Sequence, residues 1–312
     1  MISINSGRLF LKVKGRALIN KLLPALPPAL CSILLVACAS TSSINPNRKA
    51  VELSSSDISV DESALVTAMK AKLPDQSFPV AVSYPYVITG NLSQSELVKW
   101  KSKIKATQDA LKKLYFKNDP KSSIDVWLFK DAESYYHYNR NFWRFEPSTP
   151  YGYYLPSSRR MAMNIGSGSG TLIHELVHPY IVENFPSSPP WFNEGLASLY
   201  EKSNNQNGNI RGLSNWRLNV LRKMVNEKTM PDLSVVLGAS RDEFYGVNRE
   251  IYYAQARYIM YYLQQKGLLV RYYQMLSTSN EQDQTGTNTL LKVTGSSDLG
   301  SFQRKWLQYL NL

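Results

Sequence analysis

The run His174-Glu175-Leu176-Val177-His178 limits the possible folds of this chain more than any other stretch. Residues four apart lie on one face of an α-helix, a turn apart, so both imidazoles reach a common point while the glutamate stands beside it. Leu172, Ile173, Leu176 and Val177 supply an apolar face that buries the same helix. A polar trio in so hydrophobic a setting is costly unless it has partners. With only three histidines in 312 residues, two of them around a glutamate at this spacing is a poor accident of composition. The pattern suits one divalent ion, and tetrahedral zinc in particular.

A zinc site that does chemistry takes three protein ligands and leaves one position for water. The chain holds two cysteines, Cys31 and Cys38, both near the N-terminus, and His137 is the only other histidine. The third ligand is therefore sought among carboxylates. Glu194 stands out in Trp191-Phe192-Asn193-Glu194-Gly195-Leu196-Ala197, because Ser187-Ser188-Pro189-Pro190 makes a turn that lets a second helix fold back on the first. His174, His178 and Glu194 are then the expected metal ligands, and Glu175 the expected catalytic base.

The pair HELVH and WFNEGLA resembles the gluzincin group of zinc metallopeptidases, especially its smaller peptidase MA-like members. The resemblance covers about residues 85–270 and is specific within 171–200. It implies a zincin-like fold, one zinc ion, and hydrolysis of protein or peptide substrates, most simply at internal bonds. It also implies that the edge strand before the active helix binds substrate backbone, a role that falls to Arg160 to Ile165. A tyrosine that steadies the oxyanion is common in the group, and Tyr253 in Ile251-Tyr252-Tyr253-Ala254-Gln255 resembles it, with Tyr252 as rival. Two departures matter. The spacing between His178 and Glu194 is shorter than in gluzincin aminopeptidases, and the Gly-x-Met-Glu-Asn segment that grips a free amino terminus is absent, which argues against aminopeptidase action. Pro179 directly follows the second histidine, so a kink is expected there. Two further readings stay open: a zinc hydrolase of cell-wall peptides, and a non-catalytic binding or scaffold lipoprotein on the same fold.

Residues 1–37 carry Arg8, Lys12, Lys14, Arg16 and Lys21 without an acid, then an apolar stretch broken by Pro24, Pro27 and Pro28. That is the layout of a secretory signal peptide, and it is too short and too interrupted for a membrane-spanning helix of about 20 apolar residues. Its end, Leu35-Val36-Ala37-Cys38, resembles the lipobox of bacterial lipoproteins, which implies lipidation of Cys38. Ala39 resembles the sorting residue of lipoproteins sent to the outer membrane, facing the periplasm. Residues 38–60, rich in serine, read as a flexible tether, and 61–312 as the folded domain. Since Cys31 leaves with the signal and Cys38 carries lipid, no thiol remains for a disulfide or a thiolate metal site. Without the five signal cations the formal charge of +12 falls to +7, and no Lys/Arg block points to nucleic acid as a partner.

The fold class expected is α+β, a small mixed sheet packed on a mostly helical half. Ser93-Gln94-Ser95-Glu96 forms a capping box that starts a helix running to about Phe116. Pro79 to Thr89 reads as extended, Ile124 to Phe129, Tyr151 to Leu155 and Arg160 to Ile165 as strands, and Asp131 to Trp143 as a helix. Further helices are expected over 171–184, 190–202, 213–228, 249–266 and 297–310. Gly166 to Gly170 reads as a connector, His137 as a packing or surface histidine, and the tyrosine-rich stretches as amphipathic core.

Overall fold

The computed structural model describes residues 61–312 except Asn280. The signal peptide, Cys38 and the tether lie outside the described residues. The chain opens with α1 (Glu62–Lys70), whose first turn is capped by Asp61, its carboxylate accepting from the N–H groups of Ser63 and Ala64. The Pro79–Thr89 stretch is a hairpin, β1 (Val80–Ser83) and β2 (Tyr86–Gly90), turned at the cis Tyr84–Pro85 peptide. The expected capping box is present on α2 (Gln94–Leu114), with Ser93 and Glu96 each satisfying the other's backbone N–H. Then follow β3 (Ile124–Phe129), α3 (Ala132–Asn141), β4 (Gly152–Leu155) and β5 (Arg160–Asn164).

These strands form one five-stranded sheet in the order β1-β2-β3-β5-β4, with β2, β3 and β5 parallel and both outer pairs antiparallel. Alternation along the strands sorts side chains to two faces. Ile88, Val126, Leu128, Met161 and Met163 meet the main core, whereas Val87, Trp127, Phe129 and Ala162 meet a smaller one containing Met69 of α1 and Tyr135 of α3. The Arg160–Ile165 strand is not the edge expected of it. The antiparallel β4 pairs along its outer side, so β4 is the terminal strand.

The helical half begins with α4 (Gly170–Asn184) and α5 (Pro190–Tyr200), joined by the expected turn, with Pro190 at the first position of α5 where its missing N–H costs nothing. The helix expected over 213–228 begins only at α6 (Arg217–Asn226). A hairpin of β6 (Ser203–Gln206) and β7 (Asn209–Gly212) precedes it, turned at Asn207-Gly208, both with positive φ. The rest is α7 (Leu233–Gly238), α8 (Arg241–Phe244), α9 (Arg249–Gln265), α10 (Leu269–Ser279), α11 (Thr287–Thr294) and α12 (Leu299–Leu310). The fold class is thus α+β, with twelve α-helices among the described residues.

The central helix is α9, buried over most of its circumference through Ala254, Ala256, Tyr258, Ile259, Met260 and Leu263. It lies directly on α5, where a Cβ at Gly195 would stand 2.9 Å from the Ala256 carbonyl oxygen. Arg257, fully buried, closes the end of α5, donating from Nε to the Ser198 carbonyl (2.9 Å) and from Nη2 to Leu213 (2.6 Å). A cation at the last carbonyls of a helix suits the negative end of its dipole. Burial pulls this guanidinium down to about 10.

Candidate metal centre

Three elements bring the site together. On α4 the helical spacing sets His174 and His178 on one face, ring centroids 4.8 Å apart. The helix passes through Pro179 and continues to Asn184. Its first turn abuts the end of α5, where a Cβ on Gly170 would lie 2.9 Å from the Glu201 carbonyl oxygen. Glu194, buried on α5, reaches the same point. Its Oε2 stands 3.1 Å from His174 Nε2 and 3.8 Å from His178 Nε2, and one donor atom from each of the three residues falls within a 4.8 Å span.

Side chains around the group contact the atoms that do not face this point. Asn193 Oδ1 lies 2.7 Å from His178 Nδ1, which fixes the tautomer with the proton on Nδ1 and the Nε2 lone pair turned inward. Glu201 Oε1 lies 3.0 Å from His174 Nδ1, at ion-pair distance but too bent for a good hydrogen bond. Arg217 holds the other oxygen of Glu201. The Tyr245 hydroxyl, at the end of α8, donates to Glu194 Oε1 over 2.5 Å. What remains is Glu194 Oε2, buried and without a hydrogen-bond donor, facing two imidazole nitrogens. A cation bridging all three satisfies that oxygen. A group of this kind, two histidines and a glutamate with their outer atoms held by a carboxylate, an amide and a phenol, fits a divalent metal.

Electrostatics in the metal-free protein follow from the same contacts. Burial opposes charge on His174, yet the close carboxylates of Glu194 and Glu201, with Glu175 adding to them, outweigh it and push its pKa up to about 10. Burial pulls Glu194 up, but His178 and His174 overcome this and hold it at about 2, with the Tyr245 bond adding to the effect. Glu201 is likewise held at about 2, the His174 contact and the Arg217 charge outweighing burial. Glu175 behaves differently: burial raises its carboxyl pKa above the ordinary value despite the adjacent histidines. Its Oε2 lies 3.8 Å from His178 Nε2.

His174, Glu175, His178 and Glu194 all open onto a cavity of about 430 Å³. One wall is the terminal strand, through Gly152, Tyr153 and Tyr154. Opposite lie Tyr245 and Tyr253, whose ring runs nearly parallel to that of His174 (14° between planes, centroids 6.4 Å apart). Burial raises the Tyr253 phenol pKa, and the Glu194 charge adds to this. Its rival Tyr252 points into the core against Phe244. His137 is exposed on α3, accepting from or donating to the Asn141 amide at 3.1 Å, and takes no part.

Sequence reasoning brought together His174, Glu175, His178, Glu194 and Tyr253, but missed Asn193, Glu201, Arg217 and Tyr245. Glu201 carried a signal. Seven residues beyond Glu194, it recurs on the same helical face two turns on. Tyr245 carried none, being one of twenty tyrosines in a segment with no periodic pattern. No protein-family model matches the chain, and no curated protein matches it in sequence.

Proposed function

We propose that this protein is a zinc-dependent peptidase, anchored in a bacterial cell envelope through lipid on Cys38 and acting on protein or peptide substrates from the periplasmic side of the outer membrane. The observation that carries the reading is the meeting of His174, His178 and Glu194 around one donor-free carboxylate oxygen, with Glu175 beside them in an open cavity. Two imidazole nitrogens and one carboxylate oxygen are one of the donor sets found in hydrolytic zinc sites. A zinc ion held there supplies Lewis acidity, lowering the pKa of a water towards about 7 and polarising the scissile carbonyl.

The remaining steps belong to the chain's own residues. Glu175 takes the proton from the attacking water and delivers it to the leaving nitrogen, and a carboxyl whose pKa is raised by burial suits a group that must alternate between both forms. Tyr253, a half-buried phenol kept protonated, donates to the oxygen of the carbonyl as charge develops on it. The outer edge of β4 offers backbone groups to an extended substrate, aligning the bond beneath Glu175.

The test is a proteome-derived peptide library incubated with the zinc-loaded protein and with its Glu175→Gln variant. Cleavage by the first, abolished by chelator and reduced on the order of 10²- to 10⁴-fold in the second at equal zinc content, is expected. Equal cleavage by both removes Glu175 from its role. No cleavage by either leaves a binding or scaffold protein on a metal-site fold.

A further inference from the structure

Within the cavity that holds the metal ligands, Arg241 is the only Lys or Arg side chain among the lining residues. No acid pairs with it: the ion pairs of the described residues leave Arg241 out, as do their side-chain hydrogen bonds. Arg241 is exposed, whereas Glu175 and Glu194 lie close to the two histidines.

The backbone that carries Arg241 is fixed. Ser240 and Glu243 cap α8 reciprocally, and Phe244 is fully buried between Tyr252 and Tyr253, at centroid distances of 5.8 and 5.4 Å. The guanidinium itself rests over the ring of Tyr245, its carbon 5.1 Å from the ring centre. That same tyrosine donates its hydroxyl to Glu194. The guanidinium therefore sits one aromatic ring away from a metal-ligating carboxylate. Measured along that ring it is at most roughly 10 Å from the carboxylate, the span of about three extended residues.

We propose that Arg241 is a specificity-determining residue that binds a carboxylate of the peptide substrate, placed within about three residues of the cleaved bond. The inference rests on the peptidase reading and names its substrate class. A planar guanidinium with five donors matches a carboxylate in a bidentate way that neutral side chains do not. The carboxylate has two sources, the free C-terminus of a short peptide or an internal Asp or Glu, and the two call for different peptides.

Matched peptide sets separate these cases: one series varies Asp or Glu against Asn or Gln at each position within three of the cleaved bond, another varies a free terminal carboxylate against its amide. The zinc-loaded protein and its Arg241→Gln and Arg241→Glu variants are compared by kcat/KM. Binding of the same labelled peptides to zinc-loaded Glu175→Gln protein, with and without Arg241→Gln, is read by fluorescence anisotropy. A preference of roughly 10- to 100-fold for the carboxylate member, falling towards unity in Arg241→Gln and passing to Lys-bearing peptides in Arg241→Glu, is the expected result. Preference confined to the second series identifies a C-terminal carboxylate, and preference in the first an internal acid. Cleavage without any such preference, or a preference that persists in Arg241→Gln, overturns the inference and leaves the peptidase standing. Discrimination in binding without cleavage of any peptide overturns the peptidase and leaves the carboxylate site; absence of both overturns both.

Discussion

Tyr245 donates to Glu194, one of the three candidate metal ligands, over 2.5 Å, and it does so from a segment with no helical or strand periodicity in the sequence. Its hydroxyl fixes Glu194 Oε1 and leaves Oε2 free for a cation. Tyr245→Phe keeps the ring and removes that bond. Zinc affinity is expected to fall roughly 10- to 100-fold, read by competition with a chromogenic chelator, while the fold, read by circular dichroism, is retained. The same residues dictate a pH response in the metal-free protein. His174 is raised to about 10, so its contribution to stability is complete below its ordinary pKa of about 6.5 and is lost as pH rises towards 10. Glu194 and Glu201, held at about 2, contribute above their ordinary value of about 4.3 and lose that contribution as pH falls towards 2. Thermal unfolding of metal-free protein should therefore peak between about pH 4.5 and 6.5. In the zinc-loaded protein the ion replaces the proton on His174, so the decline on the alkaline side should vanish. A metal-free curve that keeps rising beyond pH 8 contradicts the charge network described above. Sequence alone reached the three clustered residues, His174, His178 and Glu194, because their types and spacing are chemically restrictive. It missed Tyr245 and Arg217 because a supporting phenol or guanidinium is restricted only by where the fold puts it.

Among the elements, those with local chemical signatures were legible. The reciprocal caps at Ser93 and Glu96, the apolar face of α4 and the proline-started α5 are each written in a few adjacent residues, and the structure places all three within a residue or two of expectation. The β6–β7 hairpin was not. Its polar residues, Ser203 to Gln206, lack the alternation that marks a half-buried strand, and only Ile210 and Gly212 of its return strand are buried. The contact of α5 with α9 was hidden for another reason: helical periodicity says which face is apolar, not how close its partner comes. Gly195 sets that distance. Gly195→Ala forces the helices apart beside Glu194, and overpacking of this kind costs about 1–3 kcal/mol. A drop in Tm of roughly 2–10 °C, together with weaker zinc binding, is expected. Gly208→Ala, at a hairpin tip with nothing near its Cβ, serves as comparison and should leave zinc affinity unchanged even where its left-handed φ costs stability.

At the scale of the whole molecule, the sheet has a core on each face and the metal centre lies on the side of the larger one, joining α4 and α5 to α6 and α8. Anything that binds the native arrangement and not the unfolded chain stabilises it by mass action, about 2.7 kcal/mol at a hundredfold excess over Kd. Removing zinc with a chelator should accordingly lower Tm by roughly 5–10 °C, seen by scanning calorimetry, and adding zinc back should restore it. Protein in which Glu194→Ala replaces the ligand should show no such shift. The general class, a mixed sheet against a helical half, was legible from the order of strand-like and helix-like runs. The position of the edge strand was not, because neighbours in sequence do not specify which side of a parallel pair the next strand joins.

All three candidate metal ligands, and Asn193 beside them, fall within 21 residues, between His174 and Glu194, yet the other supports, Glu201, Arg217 and Tyr245, come from later in the chain. A short signature search therefore recognises the ligands and is blind to their supports. Among homologues, a chain could retain HELVH and the later glutamate while having lost the arginine or the tyrosine, and it would be scored as intact although its ion binding had decayed. Sorting working copies from relics requires reading six positions across three separate segments, not five adjacent letters.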